Sequence, residues 1–86
     1  MSETIASDRR ATWHEVAARR VELRRHVEGS GLTNPRLRGD GAVIVQAPEA
    51  GYRAVGRFAA QAAQVVGTYV HVLTDDVPAA GDAPPL

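Results

Sequence analysis

With no cysteine anywhere in it, this chain of 86 residues has to fold without a disulfide or a thiolate-bound metal. A chain of that length makes one domain. Small domains bury only about 60% of the surface their unfolded chains expose. Hydrophobic residues make up 44% of the sequence, but Ala supplies fifteen of them and leaves 23 larger side chains for a core. Such a core is marginal, and oligomerisation is the remaining common way to supplement it. The chain is therefore expected to self-associate as a homodimer.

Other classes recede on simple grounds. No run of about 18 apolar residues is present to span a membrane. The start, Met1-Ser2-Glu3-Thr4, has neither the basic nor the apolar region of a secretory signal. Absence of Cys suits a reducing cytosol, so a cytoplasmic location without membrane contact is expected. Ten Arg and no Lys, with abundant Ala, Val and Gly, read as the coding bias of a GC-rich bacterial genome. That concerns the host rather than the function.

The pattern along the chain reads as helix, strand, helix, strand. Residues 1–7 are polar and unpatterned, and are expected to be disordered. Thr12 and Glu15 have the spacing of a capping box. Gly29 offers a left-handed stop, and Asn34-Pro35 bars continuation, so a helix is predicted over 8–28. Gly-rich turns follow, with a short edge strand around Leu37 before Gly39-Asp40-Gly41. The run 42–46, Ala-Val-Ile-Val-Gln, is a short buried strand.

Pro48 then suits the first position of a helix, with Glu49 at its positive dipole end. Tyr52, Val55, Phe58, Ala59, Ala62, Val65 and Val66 share one face of this helix, which ends at Gly67. A second strand covers 68–74, and the Pro-containing residues 77–86 read as a disordered tail. The expectation is a single α/β domain over 8–76. It comprises a parallel β-α-β unit and an N-terminal amphipathic helix, with strand edges completed by dimerisation.

The N-terminal stripe suggests where that dimer forms. Trp13, Val16, Arg20, Leu23 and Val27 follow alternating three- and four-residue steps, the seam of a short coiled coil with Arg at one core position. Arg20 and Arg24 sit near the middle of the apolar stripe. Either they lift their charges into water along its edge, or they meet carboxylates of another element or subunit. Asp75 and Asp76, the chain's adjacent acidic pair, are the natural intrachain or intersubunit partners. The expected interface is therefore Trp13, Val16, Arg20, Leu23, Arg24 and Val27.

Three function classes compete. The favoured one is a non-enzymatic, self-associating module that binds or regulates a protein partner. A nucleic-acid-associated regulator would use Arg19, Arg20, Arg24 and Arg25 on phosphates. Against it, Asp8, Glu15, Glu22 and Glu28 are interleaved, aromatic residues for stacking are few, and no nucleic-acid-binding motif is present. A third reading takes Asp75, Asp76 and His71 as a metal or catalytic end, in the crevice that Gln46, Glu49 and Thr74 would share.

No recognised ligand spacing supports that site, and a mid-strand His71 is more simply a hydrogen-bonded, half-buried side chain. Ser2, Ser7 and Ser30 lack a neighbouring His and acid, and both glycine turns precede a strand, unlike a phosphate loop. His14 and His26 fall outside the apolar stripe. Arg38-Gly39-Asp40 matches an adhesion tripeptide by chance. No catalytic residue, cofactor or metal ligand is assigned.

The zero formal charge hides an asymmetry. Residues 1–38 carry eight Arg against five acidic residues, and residues 39–86 carry two Arg against five. A basic helix facing an acidic strand end can satisfy itself within one subunit or across a dimer.

Overall fold

The computed structural model describes residues 10–47, 51–74 and 83–86. Its elements in order are α1 (Trp13–Ala17), α2 (Arg20–Gly29), β1 (Thr33–Leu37), β2 (Val43–Gln46), α3 (Gly51–Val66) and β3 (Val72–Thr74). The strands form one mixed sheet in the order β1-β2-β3. β1 pairs antiparallel with β2, and β2 pairs parallel with β3, with α3 between them in sequence. The α/β class and the parallel strand pair expected from the sequence are both present.

Both longer helices lie on one face of the sheet. Leu37, Val43, Val45 and Val70 form a single core cluster with Leu23 and Val27 of α2 and with Ala54, Phe58 and Ala62 of α3. Ile44 is buried too, but outside that cluster. Alternation along a strand puts it on the opposite face, where the register aligns it with Arg36 and Leu73. Ser30 ends α2 and donates a long hydrogen bond to Gln61 of α3 at 3.5 Å, tying the helices together near that end.

Five details differ from the sequence expectation. The predicted helix over 8–28 is two helices. Thr12 does cap α1, accepting from Glu15 N–H at 3.2 Å while Glu15 accepts from Thr12 N–H at 2.9 Å. But regular helix stops at Ala17, and Arg19 sits at φ −114°. Neither Ala18 nor Arg19 is a helix breaker. The interruption is tertiary: α1 is anchored to the sheet at its start, whereas α2 packs across α3. With it goes the continuous coiled-coil seam.

Second, α2 runs through Gly29, and the left-handed residue is Gly31, at φ +79°. Third, β1 is longer than the stub expected at Leu37. It includes Asn34 at φ +52°, and its register shifts between Thr33 and Arg36. A bulge of this kind lets Asn34-Pro35 sit at a sheet edge.

Fourth, α3 turns its face slightly from the predicted phase. Ala54, Phe58 and Ala62 are its buried residues, whereas Tyr52 is 70% exposed. The helix does end at Gly67, which takes φ +96°. The final strand is also shorter than predicted, with Tyr69 in an isolated parallel bridge to Arg10.

One strand edge is closed within the chain. Leu37 N–H donates to the Pro84 carbonyl at 2.8 Å and Leu86 N–H to the Pro35 carbonyl at 3.0 Å, so residues 84–86 line β1. The tail expected over 77–86 is thus described at its end, where it is paired and where Leu86 is buried. The expected N-terminal disorder, Pro48, Glu49 and the Asp75-Asp76 pair all lie outside the described residues.

Candidate functional site

Three segments far apart in sequence converge at one end of the sheet. Residues 10–13 lead into α1, residues 38–41 turn β1 into β2, and residues 69–71 lead into β3. Ala11 N–H donates to the Tyr69 carbonyl at 2.7 Å, which fixes the first segment against the third. Gly41, at φ +93°, lets the second segment touch the first. A β-carbon there would lie 2.5 Å from the Ala11 carbonyl oxygen.

The turn closes on itself through Arg38 N–H to Ala42 O and Gly41 N–H to Arg38 O, both 2.9 Å. Gly in the left-handed conformation is what a three-residue hairpin loop needs at that point.

Asp40 is the electrostatic centre of this end. Arg38 donates to it twice, Nε to Oδ1 at 3.0 Å and Nη2 to Oδ2 at 2.7 Å, and Ala42 N–H donates at 3.1 Å. Arg10 approaches from the neighbouring segment, Nη2 to Oδ2, at 3.5 Å. The hydrogen bonds from Arg38 hold the Asp40 carboxyl well below the usual carboxylate range, and Asp40 in turn raises Arg38. Arg38 and Asp40 therefore fold onto each other across the turn instead of presenting two separate charges, as an adhesion tripeptide would need.

Beside this cluster, Tyr69 Oη lies 3.3 Å from His71 Nδ1. His71 titrates below its ordinary value, first because it is partly desolvated and then because Arg10 and Arg38 repel its charged form, with Asp40 opposing them. Trp13 and Tyr69 are 38% and 46% exposed, which puts two large aromatic side chains at the rim of the same end. Sequence reasoning missed this grouping, because its members are brought together by one parallel bridge and one hairpin turn.

His71 gives a pH prediction. Its pKa is lower in the folded state than in the unfolded chain, so the unfolded chain binds its proton more readily. Its contribution to stability is present above about pH 6.5 and is lost as pH falls through the folded value. Urea unfolding measured from pH 7.5 to 5 should show falling stability. His71→Gln should flatten that slope above pH 5, while the Asp40 contribution is lost only at lower pH.

The residues proposed from sequence as an interface do not stay together on the surface. Val16, Leu23 and Val27 are at most 1% exposed and belong to the chain's own core. No partner can reach them in this fold. Trp13, Arg20 and Arg24 are exposed. Arg24 stands beside an open groove of about 280 Å³ formed by Val27 and Glu28 of α2 and by residues 32–35.

Of the four Arg considered for nucleic acid, Arg19 pairs with Glu22 at 3.1 Å and Arg20 Nε donates to the Ala17 carbonyl at 3.4 Å. Arg24 and Arg25 remain outward. Among the described residues no three His, Asp or Glu side chains gather as a metal site, and no helix is long and apolar enough to cross a membrane.

No family model, curated protein or solved structure matches this chain.

Proposed function

We propose that this protein is a cytoplasmic, non-enzymatic module that associates with itself and binds or regulates a protein partner. Its contact surface is the end built from Arg10, Trp13, Arg38, Tyr69 and His71. One observation carries this reading: Trp13 and Tyr69 are both substantially exposed, on segments joined by the Ala11–Tyr69 hydrogen bond and rimmed by two Arg. Exposed aromatic side chains beside Arg are the composition of interface centres rather than of ordinary surface.

The segments that carry them are joined by that bond and by the Arg10–Tyr69 bridge, which reduces the ordering needed before contact. The nucleic-acid alternative is weaker than the Arg count suggests, because Arg19 and Arg38 are paired with acids.

Sedimentation velocity across a wide concentration range tests the proposal. The wild-type chain should dimerise, and Trp13→Ala or Tyr69→Ala should each weaken the dimer about tenfold or more. Trp13, the only tryptophan in the chain, should report the same event by its emission. A wild-type protein that stays monomeric throughout would overturn the self-association.

A further inference from the structure

The outer edge of β1 holds an added strand. Residues 84–86 are joined to β1 by two backbone hydrogen bonds, Leu37 N–H to Pro84 O and Leu86 N–H to Pro35 O. Arg36 and Pro85 face each other between them as an antiparallel bridge. Neither bond has its reciprocal, because Pro84, opposite Leu37, and Pro35, opposite Leu86, have no N–H. Among the described residues the Leu86 side chain is a further anchor, 4% exposed and part of the core cluster. Nine residues, 75–83, separate these paired residues from β3 in the sequence.

When this strand leaves, the Leu37 N–H and Pro35 carbonyl lose their partners and the core loses Leu86. An uncovered edge of that kind recruits another strand. We infer that the outer edge of β1 is a strand-acceptor site at which residues 83–86 of a second copy replace the chain's own.

Identity of sequence decides the occupant. The second copy restores the same two hydrogen bonds and the same buried leucine, so exchange gives up none of these contacts. What opposes it is covalent connection, since the chain's own strand competes intramolecularly and needs no encounter with a second copy. Exchange therefore becomes substantial only in concentrated protein, and an irreversible trap accumulates it. The inference rests on the self-association proposed above, yet it involves none of the same side chains.

The cysteine-free chain suits disulfide trapping. Arg36 and Pro85 form the non-hydrogen-bonded pair of the bridge, where α-carbons approach to about 4.5 Å, within reach of a disulfide. Arg36→Cys and Pro85→Cys are made in separate chains, mixed at about 1 mM and oxidised slowly. A covalent heterodimer should form in several-fold excess over a control mixture of Ala60→Cys, on the exposed side of α3, with Pro85→Cys. Equal yields would overturn the inference.

Should Arg36→Cys fail to fold, the wild-type chain serves. Isotope-filtered spectra of mixed labelled and unlabelled copies should show contacts from Leu86 methyls of one copy to β1 of the other. Their absence, with the intramolecular contacts intact, would also overturn it. A wild-type dimer that is lost on Trp13→Ala but never traps would refute strand exchange and leave the self-association standing.

Discussion

Replacing Phe58 with alanine is expected to remove about 3–5 kcal/mol of stability, the range for truncating a buried aromatic residue. Phe58 is fully buried and lies on the inner face of α3, in the cluster shared with α2 and the sheet. Its neighbours along the helix, Ala54 and Ala62, are small and cannot expand into the space left behind. A domain of this size is stabilised by roughly 4–13 kcal/mol in total. The substitution therefore takes a large fraction of the whole.

Urea unfolding at neutral pH checks this through the midpoint, with the slope showing whether the denatured state has changed too. Phe58→Leu retains most of the volume and should cost well under half as much. Similar losses for both variants would mean that ring shape, rather than the cavity, dominates.

Gly41→Ala should be destabilising by more than about 2 kcal/mol, for two reasons that add. Its φ of +93° lies where an L side chain is strained by about 1–2 kcal/mol. In addition, the new β-carbon would sit 2.5 Å from Ala11 O, 3.0 Å from Thr12 C and 3.1 Å from Trp13 N. These are all backbone atoms of a segment pinned by its hydrogen bond to Tyr69, so none can swing aside.

The strain falls on the contact between the hairpin turn and the start of α1. The Trp13 environment should therefore change along with the unfolding midpoint. Gly39→Ala, two residues earlier, meets nothing within 4 Å and has no left-handed φ. It should be close to neutral. If both substitutions cost the same, the turn is generally intolerant and the close approach is not its cause.

Local signals in the chain located much of this fold. Thr12 and Glu15 marked a helix start through a hydrogen-bond pattern that needs only four consecutive residues. Val43, Ile44 and Val45 marked a buried strand by β-branching, and Gly67 marked the end of α3 by its freedom at positive φ. Phe58 and Ala62 fell on the buried face because helical periodicity is a local property. The sequence also foretold a parallel strand pair, since two β-branched runs joined by one helix have few other arrangements.

Legibility failed wherever two readings were locally equal. Val16, Leu23 and Val27 form the same apolar stripe whether it faces a second subunit or the chain's own sheet, and periodicity does not distinguish them. Once α2 packs against α3 the stripe is spent inside the chain. The break between α1 and α2 has no glycine or proline to announce it. The pairing of residues 84–86 with β1 was hidden by a composition of Pro and Ala that, by itself, forms no structure.

What the sequence determined alone was therefore the inventory: a Cys-free chain of α/β class with a modest core, a basic first half and an acidic second half. Tertiary structure decided the site. Arg10, Arg38, Asp40, Tyr69 and His71 are distributed over 62 positions of the chain, and no local pattern relates them. They meet because β2 and β3 run parallel, a glycine turn sits against the segment before α1, and Ala11 donates to Tyr69. Propensity and periodicity act over a few residues, whereas this surface depends on which backbone segments the shared core brings side by side.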